Sequence, residues 1–491
     1  MNLSTLAEQN PWWADPSAID RDFHVQRYEA SNIKWGPRLA SFIKFDRPRI
    51  YLLRGPRQVG KTTLLKLRVR ELLRSGSEPR NVMYFTCDLL RTADDLAEVL
   101  RTYLDLSRRR EPSPTVIMID EVSTVPDWER AVKHMFDTGA LSNATMVLTG
   151  SHCLELKTSV ERLPGRTGEG DGPLNLTLMP MKFPEYIETV RPDIFGRTAF
   201  LHLRREERSR IVDALFRGSI DEESRDEFLI HQNELQALFD DYLLTGGLMW
   251  PIGHFFDRGR IDPTVYELYI RSLLGDLARW GYREDIAKQV VRSLITRMTT
   301  RTSLNAIAKD NELGSHNTVS SYLRALEDSF TVNAFFKLEL DDRKANYRGE
   351  RKLYFTDPFL YHAFRGWTAA QDYFELARRT VADPVEKSKL VEMVVADHLI
   401  RYDYGRRPSD VYDHRDSVLF WKKAGSDKEV DFVMSADRAL EPLEVKYRNR
   451  VEVRNRGNFS PFGRGLTLSK DEFISDGQYA AVPVEYFLLL I

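Results

Sequence analysis

The chain has 491 residues, 42% hydrophobic and 29% charged, with 71 Lys and Arg against 73 Asp and Glu. That length exceeds one hydrophobic core and predicts about three or four domains, and the near-zero net charge argues neither for nor against a nucleic-acid partner. No run approaches the ~18 apolar residues of a membrane span, and two cysteines, Cys87 and Cys153, exclude a disulfide framework and a Cys-rich zinc site.

Both cysteines lie in apolar surroundings and read as buried thiols. The N-terminus, MNLSTLAEQNPWWADP, lacks the basic start and apolar core of a secretion signal. A reducing, cytoplasmic setting is expected, with no membrane partner. The first 45 residues are polar and aromatic and read as helices leading into the first core. Four unbroken apolar runs follow, IYLL, VMYF (82–85), TVIMID (115–120) and TMVLTG (145–150), separated by helical stretches. Such runs indicate a parallel sheet covered on both faces.

Residues 191–295 show helical spacing without strand signals. Over 296–355 the pattern is a helix-turn-helix with a wing. Leu304, Ile307 and Ala308 mark one helix, Gly314 and Ser315 a turn, and Val319, Leu323 and Leu326 a second helix. Alternation from Val332 to Leu340 and from Lys352 to Phe355 predicts the wing strands. The remainder, 356–491, opens with helices and continues with strands at Val418–Trp421, Val430–Met434 and Leu443–Tyr447.

Directly after IYLL comes Gly55-Pro56-Arg57-Gln58-Val59-Gly60-Lys61-Thr62-Thr63, a complete G-x-x-x-x-G-K-[ST] pattern opening the helical run TTLLKLRVRELL. Its glycines let successive backbone N–H groups converge on phosphate oxygens, aided by the helix N-terminus. Lys61 is expected to reach the β- and γ-phosphates of ATP, and the Thr62 hydroxyl to bind Mg²⁺. TVIMIDE then sets Asp120 and Glu121 at the carboxyl end of a buried strand. Asp120 is expected to hold Mg²⁺, and Glu121 to orient and deprotonate the attacking water. Thr149 ends another buried strand, where its hydroxyl could contact the γ-phosphate or that water. Arg162 and Arg166, in ERLPGR, are candidate cations for the transition-state charge, in cis or from a neighbouring subunit. The fold class expected is α/β: a P-loop NTPase parallel sheet over 46–190, the helical segment, the winged helix, and an α/β nuclease-like domain from 356.

These residues carry a resemblance. GPRQVGKTT, YFTCD ending at Asp88, IDEVSTVPDWE with its Asp-Glu to Trp run ending at Trp128, LTGS followed by RLPGR, LMPMKFPEYIE (178–188) and DYLLTGGL (241–248) resemble bacterial and archaeal AAA+-type P-loop ATPases. In that family the ATPase module is followed by a C-terminal DUF4143 domain with winged-helix and PD-(D/E)xK nuclease-like parts, and the stretch from NTVSSYLRALEDS to LEVKYR is similar to it. The likeness implies ATP and Mg²⁺ as cofactors and a homo-oligomer as a plausible assembly. Ser123 replaces a usual Gln, and EGDGPLN (169–175) lengthens one loop; neither touches the phosphate chemistry.

A second constellation lies near the C-terminus. Asp431 sits in EVDFV, and thirteen residues later Glu444 and Lys446 share one face of the next strand by its two-residue period. Glu392, on the preceding helix, adds a carboxylate. Carboxylates binding Mg²⁺ beside a lysine can activate water against a phosphodiester; a salt-bridged strand pair is the plainer alternative. Ser315, His316, Asn317 and Ser320 at the start of the second helix, with the basic stretch Arg343, Lys344, Arg348, Arg351 and Lys352, point to nucleic acid, DNA before RNA. Two functions stay open: an ATP-driven machine with a nuclease-like domain acting on nucleic acid, and a nucleotide switch that binds protein partners through a catalytically inert C-terminal domain.

Overall fold

The structure, a computed structural model, describes residues 3–108, 114–150, 173–313, 315–409, 412–436, 439–450 and 457–491. The chain divides into two compact units, Met1–Met179 with Pro408–Asp410, and Pro180–Arg407 with Val411–Ile491.

The first unit is built on a five-stranded sheet in the order β2-β3-β4-β1-β5. Its strands are β1 (Arg49–Arg54), β2 (Val82–Thr86), β3 (Thr115–Asp120), β4 (Ala144–Gly150) and β5 (Asn175–Thr177). Every pairing is parallel, and β3 and β4 are buried along their whole length. This is what unbroken apolar runs require: parallel strands need crossover helices, which cover both faces. The central crossovers include α3 (Lys61–Arg74), α4 (Ala93–Arg108) and α5 (Trp128–Asp137), which follow α1 (Leu3–Gln9) and α2 (Phe23–Ala30). Cys87 is fully buried in the core between them; Cys153 lies outside the described residues.

The N-terminal segment has a role that its composition did not disclose: it lines the outer edge of β2. Asn10 donates from Nδ2 to the Tyr84 carbonyl (2.9 Å) and accepts from the Tyr84 N–H (2.7 Å), imitating a neighbouring strand with one side chain. The Trp12 and Trp13 indoles both donate to the Val82 carbonyl, each at 2.9 Å, and Gln9 accepts from the Thr86 N–H at 2.9 Å. An edge otherwise open to pairing with another chain is closed in this way.

The second unit is dominated by an eight-stranded mixed sheet in the order β12-β13-β11-β10-β9-β8-β6-β7. Helices come first, among them α6 (Glu222–Thr245), α7 (Leu304–Asp310) and α8 (His316–Asp328), followed by the hairpin β6 (Val332–Glu339) and β7 (Lys344–Phe355). Ser315 caps α8, accepting from the Asn317 N–H at 3.0 Å. After α9 (Pro358–Ala369) and α10 (Pro384–Arg406) come β8 (Val418–Lys422), β9 (Glu429–Ala436), β10 (Ala439–Val445), β11 (Gly465–Ser469), β12 (Ile474–Ser475) and β13 (Tyr479–Pro483). The hairpin does not stand apart as a separate wing: Lys337 of β6 pairs in parallel with Phe420 of β8, joining it to the C-terminal strands. Asp357, fully buried, accepts from the Gly247 N–H (2.7 Å) and the Phe359 N–H (2.9 Å), tying the end of the LLTGG run to α9.

The final helix, α11 (Val484–Leu490), is buried on all sides and carries Glu485 inside the unit. Burial pushes the Glu485 carboxyl up to about 7, although the Tyr447 hydroxyl donates to it at 3.0 Å. The folded state therefore holds a proton that the unfolded chain releases near 4.5. The stabilisation is complete below that value and is lost as pH rises through about 7. Glu485→Gln keeps the shape and removes the titration. It is expected to raise the melting temperature at pH 8 more than at pH 5.5; an equal shift at both values would sink this account.

Candidate active site at the carboxyl edge of the parallel sheet

In a doubly covered parallel sheet, ligands meet the protein where neighbouring strands diverge at their carboxyl ends. Here β1 and β3 flank β4, and their carboxyl ends lie side by side. Leu53 of β1 lies level with Thr149 of β4, and Thr86 of β2 with Asp120 of β3.

The loop 55–60 joins β1 to α3. Gly55 has φ +151°, and a Cβ there would lie 2.1 Å from the Leu178 carbonyl oxygen. That carbonyl belongs to the backbone continuing from β5, where the Leu178 N–H donates to the Arg54 carbonyl at 2.8 Å. That hydrogen bond ties the Leu178 backbone to β1. Gly55→Ala is accordingly expected to cost roughly 1–3 kcal/mol and to weaken nucleotide binding with it. Unchanged melting temperature and affinity would contradict the close approach. Gln58 (φ 62°) and Gly60 (φ 106°) also take positive φ, and Gly60 serves as the N-cap of α3. Successive N–H groups turned inward by such dihedrals form an anion cradle, and the helix end adds about half an elementary positive charge. Lys61, buried, donates from Nζ to the carbonyls of Gly55 (2.9 Å) and Pro56 (3.0 Å), spanning the loop it follows.

Thr62 donates from Oγ1 to Asp120 Oδ2 at 2.7 Å, which joins the loop to the end of β3. The same carboxylate oxygen accepts from the Tyr84 hydroxyl at 2.9 Å, and Oδ1 accepts from the Thr149 hydroxyl. Thr149 in turn accepts the Glu121 N–H at 3.1 Å. The Thr149 hydroxyl, a candidate from sequence for contact with the γ-phosphate or the attacking water, lies between Asp120 and the Glu121 backbone. Glu121 sits at φ 51°, a left-handed conformation uncommon for a residue with a side chain. Tyr84 is a site residue that no motif singles out. The available signal was its place on β2, one strand from Asp120. Behind it lies a buried cation: Lys66 Nζ sits 3.5 Å from the Tyr84 ring centroid and 3.2 Å from Asp22 Oδ2. Burial pushes the Lys66 ammonium below its ordinary value, against the pull of Asp22. Arg162 and Arg166 lie outside the described residues.

Residues 47–187 match the model of an AAA domain, and residues 387–479 match a domain of unknown function, DUF4143. The chain carries an AAA domain followed by a DUF4143 domain. Between them, residues 236–371 match a further domain of unknown function, DUF8612. An uncharacterized protein of Methanocaldococcus jannaschii is 30% identical over 148 residues, 30% of this chain and 29% of the relative's own length, so the match spans under a third of that protein. Among solved structures, the Walker-type ATPase of Pyrococcus abyssi is 15% identical with a TM-score of 0.36, covering 65% of this chain and 91% of that one. A RuvB variant of Thermotoga maritima is 14% identical with a TM-score of 0.24, covering 71% and 91%. The AAA domain rests on the sequence match and on the P-loop geometry, not on these superpositions. No helix among the described residues is long and apolar enough to cross a membrane.

The carboxylates of the second constellation lie within the DUF4143 match, and the lysine beside them comes from the DUF8612 match. Asp431 on β9 and Glu392 on α10 come together as expected, but the lysine between them is Lys352 of β7. Its Nζ lies 2.9 Å from Asp431, 2.9 Å from Glu429 and 3.4 Å from Glu392, and its side chain is 1% exposed. Lys352 thus leaves the basic surface stretch to which sequence assigned it. Arg351 is half-buried over the Phe336 ring, so Arg343, Lys344 and Arg348 are what that stretch exposes. Tyr354, two residues on and on the same face, donates to Glu392 at 2.6 Å. Glu444 and Lys446 do share a side, with Lys446 Nζ 3.7 Å from a Glu444 oxygen, while Asn458 donates to the other at 2.5 Å. Burial pushes Glu392 and Glu444 each up to about 7. Burial also opposes charge on Asp431, but Lys352 and Lys446 outweigh it and hold that carboxyl below its ordinary range. Among the described residues no group of three or more His, Cys, Asp or Glu side chains is placed to hold a metal ion. That is the point at which the expected metal set of Glu392, Asp431 and Glu444 departs from the structure.

Proposed function

We propose that the AAA domain binds and hydrolyses Mg²⁺-ATP as a nucleotide-driven switch acting with a nucleic-acid partner. The observation that carries this reading is the Thr62–Asp120 hydrogen bond, which brings the hydroxyl of the phosphate loop and the strand-end carboxylate to one point. Both are hard oxygen donors, the kind that Mg²⁺ takes alongside water and phosphate. In this reading Thr62 and Asp120 hold the ion, which neutralises charge developing on the phosphates. Loop N–H groups and Lys61 bind the phosphates, Glu121 takes the proton of the attacking water, and Thr149 and Tyr84 keep Asp120 oriented. Steady-state phosphate release by purified protein, with and without Mg²⁺, tests it; no ATP-dependent release under any condition would remove it.

The nucleic-acid part is supported by the exposed His316 and Asn317 at the start of α8 and by Arg343, Lys344 and Arg348 on the following hairpin. For the C-terminal domain, the inert reading is favoured over the ATP-regulated nuclease because Lys352 stands among the carboxylates. Incubation of DNA and RNA with the protein, Mg²⁺ or Mn²⁺, and ATP present or absent, is expected to leave them intact. Metal-dependent cleavage that Asp431→Ala abolishes would restore the nuclease.

A further inference from the structure

The carboxylates around β9 already have cations: Lys352 stands among Glu392, Glu429 and Asp431, and Arg301 Nε lies 2.8 Å from Glu429 Oε2. We infer that Lys352 is the resident counter-ion of the Glu392–Glu429–Asp431 cluster, standing where a nuclease-like site would place its divalent metal, so that this site takes no Mg²⁺ or Mn²⁺.

An ammonium held against these carboxylates fills the place and supplies the positive charge that a divalent ion would bring. Asp431 uses both oxygens, Oδ1 on Lys352 at 2.9 Å and Oδ2 on the Val445 N–H at 3.0 Å. Glu392 Oε1 accepts from Tyr354 at 2.6 Å and faces Lys352 at 3.4 Å. Glu444, outside that cluster, accepts from Asn458 on Oε1 at 2.5 Å, while its Oε2 has no hydrogen-bond partner among the described residues and lies 3.7 Å from Lys446 Nζ. Buried carboxylates without a cation would be costly, and here an ammonium supplies the compensation from within the chain.

Lys352 has no easy way out. It belongs to β7, where it pairs with Phe335 of β6, and its ammonium also lies 6.0 Å from the Phe420 ring centroid. A long side chain on the surface could swing aside for an incoming ion; this one would have to leave a position that is 1% exposed. A divalent ion entering beside it would set like charges together where water cannot screen them. The inference carries the inert reading of the C-terminal domain further and is independent of ATP hydrolysis.

Mn²⁺ binding followed by electron paramagnetic resonance on the nucleotide-free full chain tests it. Wild type and Asp431→Asn are expected to take up Mn²⁺ alike. Lys352→Met, which removes the cation and keeps the length, is expected to gain one site at least tenfold tighter, lost again in Lys352→Met with Asp431→Asn. Wild-type uptake that Asp431→Asn lowers tenfold and Lys61→Ala leaves unchanged would overturn the inference, as would a folded Lys352→Met without the gain. Should Lys352→Met not fold, the comparison of wild type with Asp431→Asn decides alone. Cleavage of nucleic acid is scored separately, so a failure of the inert reading is visible apart from the metal result.

Discussion

Lys61→Ala is expected to leave the protein largely free of nucleotide at ATP concentrations that just saturate the wild type. The ammonium is buried at the start of α3 and donates to two carbonyls of its own loop, Gly55 and Pro56. It therefore does two things at once: it offers positive charge beside the cradle, and it ties down the backbone that forms the cradle. Alanine removes both and leaves two inward carbonyls without their donor. Hydrogen bonds to a charged group each contribute about 1.5–3 kcal/mol, so a loss of roughly 100-fold or more in affinity is expected from two of them. Equilibrium titration with a fluorescent ATP analogue measures it. An affinity within threefold of wild type would mean that the phosphates lie elsewhere.

Glu121→Gln is expected to separate binding from turnover. The backbone of Glu121 is held in its left-handed conformation with its N–H on Thr149, and none of this depends on the side-chain charge. Gln has the same shape but cannot accept a proton from water at neutral pH. General-base catalysis contributes about 10²–10⁴-fold, and hydrolysis should fall by that order while ATP affinity stays close to wild type. The checks are phosphate release and binding on the same preparation. Undiminished turnover would exclude Glu121 as the base. A parallel loss of binding would instead assign it to holding the nucleotide.

The two sites were legible to different degrees, and particular residues show why. The P-loop could be read because its pattern is continuous in sequence, and the same short stretch that defines it also shapes it. Gly55, Gly60, Lys61 and Thr62 act through backbone dihedrals and a helix start that local residues dictate. Asp120 and Glu121 were legible for a similar reason, since an apolar strand that ends in acids points its end to the edge of a sheet. Tyr84 was not legible. Its hydroxyl meets Asp120 only because β2 and β3 are neighbours in register, and register is a property of the assembled sheet. Asn10, which borrows two hydrogen bonds from the β2 edge 74 residues away, is hidden for the same reason.

Lys352 marks the boundary most clearly. In sequence it is one cation in a basic run, and such runs are usually solvated. In the folded chain the pleat turns Lys352 and Tyr354 to the face that Glu392 and Asp431 occupy, so one basic residue in five is removed from the surface and placed in a core. By itself the sequence determined the α/β class, the phosphate loop, the acidic strand end and the existence of a carboxylate set near the C-terminus, because these follow from local pattern and period. Only the tertiary structure decided which donors those carboxylates meet. Partners 14 to 79 residues apart are brought together by sheet register and burial, and neither is written in the run of residues around them.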